Sequence, residues 1–186
     1  SEYIVPTEQG KDYIINLAKK GVAVNILTNA MSATDVKLVH SGYAKHRKDL
    51  LKAGVKLYEI KPNSSKDILR DSYLTGSSAT SLHAKTFESD GEKVYIGSFN
   101  FDPRSALTNT ELGVAIAHPV LANKIRNEFL QALPTTSYTL SLKDDNIQWS
   151  TLENGQIVTY DEEPQTKAWQ RTLVWMLSHL PIEKFL

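Results

Sequence analysis

The sequence predicts an α/β fold: a mixed, largely parallel sheet flanked by helices, with a small β-rich C-terminal extension and a terminal helix. Three observations predict it. Strand-like and helix-like runs alternate from Tyr3 to Ile60, short strand-like runs follow Pro134, and apolar residues recur at helical spacing from Trp169 to Leu180.

Tyr3-Ile4-Val5 reads as a strand, and Pro6-Thr7-Glu8 opens a helix with Thr7 as its cap. Tyr13, Ile14 and Leu17 mark the apolar face of that helix, and Gly21 stops it. The run Val22 to Leu27 is the next strand, so the order is strand, helix, strand, the signature of a right-handed parallel crossover. A loop from Thr28 to Thr34 with Asn29 and Ser32 follows, in the position where open α/β sheets place ligands, and Asp35 lies near the start of the next helix. A second helix is predicted from Val36 to Ala53 and a strand from Val55 to Ile60. Lys61 to Thr80 is rich in Ser, Asn and Gly and reads as a mobile loop. Leu82–Phe87 and Lys93–Ile96 flank a Ser89-Asp90-Gly91 turn and read as a hairpin or as adjacent strands. Thr110–Ala117 is a further strand, and Pro119 sits in the first turn of a helix reaching Leu133. Tyr138–Leu142, Ile147–Thr151 and Gln156–Tyr160 form the β-rich extension, and Gln165–Leu180 the terminal helix. Its stripe of Trp169, Leu173, Met176 and Leu180 is expected to face the core.

The 186 residues, 41% hydrophobic and 23% charged, suit one globular domain spanning residues 1–186. A formal net charge of zero argues against bulk electrostatic attraction to nucleic acid or to anionic lipid. The absence of cysteine excludes disulfides and thiolate chemistry. Residues 37–66 depart from this neutrality, with Lys37, Lys45, Arg47, Lys48, Lys52, Lys56, Lys61 and Lys66 against Asp49 and Glu59. A solvated helix face is the plain expectation, and a basic rim for a phosphate-bearing or membrane-surface substrate the sharper one. His40 and His46, six residues apart, fall on different helix faces and make poor joint metal ligands. The chain lacks an initiating methionine and opens directly into a strand, so it is expected to be cut from a longer protein.

The chemistry concentrates between Leu82 and Gly113, in the pattern H-x-K-x4-D-x6-G-S-x-N with a glutamate eleven residues further on. His83 and Lys85, two apart on a strand, share a face. An imidazole beside an ammonium suits attack on, or proton transfer around, a phosphate whose charge the lysine balances. Ser98 and Asn100 can donate to phosphoryl oxygens, and Gly97 lets backbone approach closely. Glu111 is the candidate that holds the second ring nitrogen of His83. Asp90 lies at the hairpin turn, where a structural role is expected. No zinc or nucleotide-loop pattern competes, and no cofactor or metal is expected.

With His83, Lys85, Asp90, Gly97, Ser98, Asn100 and Glu111 all in place, the chain resembles the phospholipase D superfamily. The stretches TNAMSATDVKLVHSGYAKHRKDLLKAGVKLYEIKP, FNFDPRSALTNTELG and EEPQTKAWQRTLVWMLSHLPIEKFL resemble bacterial cardiolipin synthases of the C type. The resemblance implies half of a phospholipase D fold and a metal-independent transfer through a phosphohistidine. It implies His83, Lys85, Asp90 and Glu111 as catalytic residues, and Lys85, Ser98 and Asn100 as holding the substrate phosphate. It also implies a phospholipid substrate and a peripheral place on the cytoplasmic face of a bacterial inner membrane. Such sites need two motifs facing each other, and this chain has one. The resemblance places it as the C-terminal half, with the other histidine in a missing N-terminal half and His83 as general acid and base. The alternative is a single-motif phosphodiesterase or nuclease that homodimerises.

Overall fold

The computed structural model describes residues 4–34, 37–62 and 85–180. Helix α1 (Glu8–Lys19) begins where the sequence places it, because Thr7 is extended and its Oγ1 accepts a 3.1 Å bond from the Gly10 amide. Gly21 ends the segment at φ 88°, a left-handed conformation suited to glycine. After β1 (Asn25–Asn29), the single helix expected over Val36–Ala53 arrives in two pieces, α2 (Lys37–Ala44) and α3 (Arg47–Lys52). No proline or glycine marks the break. Strand β2 (Lys56–Ile60) follows and pairs in parallel with β1, which completes one of the predicted crossovers. The mobile loop expected over Lys61–Thr80 lies outside the described residues from position 63 onward.

Next come β3 (Thr86–Ser89), β4 (Lys93–Gly97), α4 (Pro103–Leu107), β5 (Gly113–Ala117) and α5 (Pro119–Thr136). The last elements are β6 (Ser137–Lys143), β7 (Asn146–Glu153), β8 (Gln156–Tyr160) and α6 (Ala168–Ser178). Strands β1-β2-β6-β7-β8 form one sheet, and β3-β4-β5 form another. Helix α5 packs against strands of both.

The fold is mixed α/β, with a mixed sheet flanked by helices. The parallel share is smaller than expected: among the described residues it is the β1–β2 pair and a single bridge between Ile4 and Phe101. That bridge also corrects the first crossover, since the strand around Ile4 meets Phe101 there, with the Val5 amide donating to the Phe101 carbonyl at 2.8 Å. The antiparallel excess has a local cause. Asp144 and Asp145 (φ 50° and 61°), then Asn154 and Gly155 (φ 51° and 79°), make two-residue turns whose twist closes hairpins. The β-rich extension is therefore no separate layer, because β6 pairs with β2 and carries the first sheet onward.

Ile14, Tyr43, Leu50, Leu57, Tyr138 and Trp149 form the core beneath that sheet. At about 1.5–3 kcal/mol for each large apolar side chain buried, this cluster dominates the favourable side of folding. The stripe on α6 is not part of it. Trp169, Met176 and Leu180 are 60%, 57% and 51% exposed, and Leu173 is 38% exposed. Helix α6 meets α2 through its opposite side, where Val174 is buried, and so turns the predicted core face outward. The basic run divides as well. Lys48 and Lys52 stay in solvent beside Asp145, whereas His40, His46 and Arg47 are buried. Among the described residues, no helix is long and apolar enough to cross a membrane.

Candidate functional site

The β3–β4 hairpin sets the site's geometry. Its register pairs Ser89 with Lys93 and Thr86 with Ile96, and the Gly97 amide donates to the Lys85 carbonyl at 3.2 Å. Lys85 therefore stands at the same end of the sheet as Gly97 and Ser98. Strand β5 brings its start to that end too, with Gly97 opposite Gly113 and the Ser98 amide donating to the Leu112 carbonyl at 2.8 Å.

Ser98 and Glu111 meet there. The Ser98 hydroxyl donates to Glu111 Oε2 and accepts from the Leu112 amide at 3.0 Å. Asn109 Nδ2 donates to Glu111 Oε1 at 3.4 Å. The Glu111 carboxyl is held below its ordinary range, first by the Ser98 hydroxyl, then by the Ser105 hydroxyl, with smaller help from Asn109 and the charge of Lys85. Lys85 itself is 8% exposed. Asn100 lies three residues past the end of β4, and its amide donates to Ser105 Oγ at 3.3 Å. Ser105 is buried in the first turn of α4, where the Asp102 carboxylate caps its amide at 2.7 Å.

Lys85, Ser98, Asn100 and Glu111 thus come together. Asp90 does not join them. It occupies the β3–β4 turn at φ 56°, bonded by the Ser89 hydroxyl at 3.0 Å. Five residues of hairpin, roughly 15 Å at strand rise, separate it from Lys85. The turn is tied to α5 instead: Arg126 donates to Glu88 at 2.7 and 3.1 Å, and Asn123 to the Gly91 carbonyl at 3.0 Å. His83 lies outside the described residues.

Gly97 has a packing reason beside any functional one. A Cβ there would stand 2.5 Å from the Leu112 carbonyl and 2.6 Å from Tyr95 Oη. One on Gly113 would collide with the same tyrosine ring. Tyr95 lies over both glycines, with Phe87 at 5.6 Å between ring centroids. Tyr95, Ser105 and Asn109 are the site neighbours that reading by motif missed. A signal for Ser105 was present, since Asp102-Pro103 is a cap followed by a first-turn proline and places Ser105 in that turn.

A second polar cluster lies beneath the first sheet. Arg47 Nη1 donates to Glu163 Oε1 at 2.8 Å and Glu59 Oε1 at 3.0 Å, His40 Nε2 stands 2.7 Å from Glu163 Oε1, and Trp149 Nε1 donates to Glu59 Oε2 at 2.9 Å. Burial alone would raise the Glu163 carboxyl, but the charges of Arg47 and His40 outweigh it and hold the group well below its usual range. Burial likewise opposes the Arg47 charge, and Glu163 and Glu59 more than restore it. His40, Glu59 and Glu163 converge closely enough to suggest a metal site. The guanidinium sits between the two carboxylates, however, and a fixed positive charge there opposes a cation. Burial pushes the Tyr43 hydroxyl well above its ordinary range, and beside Glu59 it makes no hydrogen bond of acceptable geometry.

The β3–β4 hairpin end gathers a lysine, a serine, an asparagine and a glutamate from residues 85–111. Residues 1–133 match the family described as cardiolipin synthase, PLD-like domain, and the chain belongs to that family within the phospholipase D superfamily. It is 44% identical over 185 residues to cardiolipin synthase C of Escherichia coli K12, covering 98% of this chain and 39% of that protein. It is 30% identical over 131 residues to a cardiolipin synthase of Geobacillus thermodenitrificans, covering 70% of this chain and 22% of that protein. The chain therefore spans well under half the length of these relatives. Among solved structures, a phospholipase D family member, Nuc, from Salmonella typhimurium matches with a TM-score of 0.55 at 18% identity, over 76% of this chain and 79% of that one. That likeness bears on the fold alone.

Proposed function

We propose that residues 1–186 form one phospholipase D-like unit, the C-terminal catalytic half of a phosphatidyltransferase that makes cardiolipin from phosphatidylglycerol or a similar phospholipid. The observation that carries this reading is the convergence of Lys85, Ser98, Asn100 and Glu111 at one sheet end, two residues along the chain from His83. In the first step a histidine ring nitrogen from a second motif attacks phosphorus. The bond to the leaving alcohol breaks, and His83 gives that oxygen its proton. In the second step an acceptor hydroxyl passes its proton to His83 as its oxygen attacks phosphorus, and the phosphorus–nitrogen bond breaks. Lys85 balances phosphoryl charge, Asn100 donates to its oxygens, Ser98 joins it once its single hydroxyl proton turns from Glu111, and Glu111 holds the imidazole of His83. Asp90 serves the turn.

The test is phosphatidyl transfer by the 186-residue chain alone and after joining to a half that carries a second motif. Transfer is expected only from the joined protein. Robust transfer by a purified monomer of this chain overturns the reading. The second reading, a homodimeric phosphodiesterase or nuclease, draws on the likeness to Nuc, a family member of which this chain matches 79%. Hydrolysis of a generic phosphodiester or of DNA that rises with dimer concentration would favour it.

A further inference from the structure

Tyr95 has a hydroxyl that packing does not explain. The register of β3, β4 and β5 sets Tyr95 between Phe87 and Ala115, and Gly97 opposite Gly113. Residues directly opposite one another, or two apart on a strand, share a face of the sheet. Gly97, Gly113 and Ala115 therefore make a nearly bare floor, and the Tyr95 ring lies over it toward the end that holds the site. The point that a Gly97 Cβ would take is 2.6 Å from Tyr95 Oη and 2.5 Å from the Leu112 carbonyl, which accepts from the Ser98 amide. The same register, carried one residue before β3, puts Lys85 opposite Gly97 and its side chain on that face. The ring itself is accounted for: it stacks on Phe87 at 5.6 Å between centroids, and a phenylalanine would cover the floor as well. The hydroxyl is not. Tyr95 is half-buried, and its hydroxyl makes no hydrogen bond with any described residue. The Ser98 hydroxyl, by contrast, already gives its one proton to Glu111.

We propose that Tyr95 is a further substrate-binding residue, its hydroxyl donating to a nonbridging oxygen of the phosphodiester from the face that carries Lys85. The identity of the ligand rests on the phosphodiester reading of the site, and the position and freedom of the hydroxyl do not. A phenol offers a neutral donor whose direction is set by a ring with few rotamers. Here the ring is held between Phe87 and the glycine floor, so little freedom is lost when the hydroxyl engages an anion. Lys85 supplies charge to the phosphate, and Tyr95 supplies a directed hydrogen bond beside it. The two glycines then serve the site indirectly, by letting the ring lie down far enough to reach its end.

The test titrates inorganic phosphate into the 186-residue chain, wild type and Tyr95→Phe, and follows two NMR signals. In wild type the Ser98 amide and the carbon-13 resonance of Tyr95 Cζ should shift together. In Tyr95→Phe the Ser98 amide should report phosphate binding weakened by about tenfold, the worth of one hydrogen bond to a charged group. Urea unfolding should be unchanged, because the ring and its floor remain. A purely structural tyrosine would show the opposite pattern, with altered unfolding and equal phosphate affinity. In the joined enzyme the same substitution should lower kcat/KM by about tenfold. Equal phosphate affinity in the two proteins overturns the proposal. So does a wild-type chain that gives no phosphate response, or a Tyr95 Cζ signal that stays still while the Ser98 amide moves. Phosphate binding that needs the hydroxyl, in a joined protein without phosphatidyl transfer, would sink the proposed function and leave this ligand in place. Transfer by the joined protein that Tyr95→Phe leaves unaltered would do the reverse.

Discussion

In the five-stranded sheet, Glu59 is fully buried and its two oxygens answer to Arg47 and Trp149. Just before β5 of the three-stranded sheet, Glu111 is half-buried and its oxygens answer to Ser98 and Asn109. The first carboxylate belongs to a closed set in which a fixed cation sits between acids. The second is held by neutral donors, and a carboxylate has about four acceptor positions, so it can still receive an imidazole N–H. The difference separates a charge cluster that joins distant segments from one that can take part in chemistry. The cluster beneath the first sheet ties α2, α3, β2 and β7 to the segment before α6, so breaking it should unsettle the fold. Disturbing the second sheet should cost turnover before it costs stability.

The largest effect expected in that contrast is His83→Ala in the joined enzyme. Turnover should fall by roughly 10²–10⁴-fold with the thermal midpoint unchanged, and retained turnover would show that another group does this work. Glu163→Ala is the counterpart on the buried side. It should cost about 3–5 kcal/mol in urea unfolding, because Arg47 and His40 lose the carboxylate between them. The same group predicts a pH dependence. Its folded pKa is depressed, so its stabilisation is complete above the unfolded value, about 4.3, and is lost as pH falls from there toward the folded value. Wild type should therefore lose stability across that acid window, and Glu163→Ala should lose less. Equal acid sensitivity in the two would remove Glu163 as the cause.

Glu111→Gln comes next, lowering turnover by about 10- to 100-fold, the worth of a charge-assisted hydrogen bond, with unfolding unaltered. An unchanged rate would dismiss Glu111 as the orienter. Arg126→Ala should destabilise by about 1 kcal/mol or less, read as a shift in urea midpoint at constant slope. A larger loss would mean that the hairpin turn depends on α5 more than its half-exposed ion pair suggests. The smallest effect is Ser98→Ala. Carbon-detected NMR titration should find the Glu111 carboxyl moved upward, because its main acid-strengthening donor is gone. A value that stays put would assign the depression to Ser105, Asn109 and Lys85.

Much of this was readable from local chemistry. Thr7, Gly21, the Asp90-Gly91 turn, Asp102-Pro103 and Pro119 mark element ends, and each acts within four or five residues of itself. The three strands after Pro134 fall close to where alternation and turn residues place them. The spacing from Lys85 to Glu111 brings its members to one sheet end because strand pairing there is governed by a short hairpin. The same spacing could not show that Asp90 would end up at the far end, since a motif records order along the chain and not distance across a strand.

Sequence alone, then, determined the signature, the turns and caps, and the α/β class, all of which depend on contacts between near neighbours. Tertiary structure decided that β6 joins β2 and turns the sheet antiparallel. It also decided that Arg47 and His40 leave a basic run to meet Glu163, 116 and 123 residues away, and that α6 faces its apolar row outward. Those outcomes depend on which distant surface buries which face. An amphipathic period gives the width of an apolar stripe, but not what covers it.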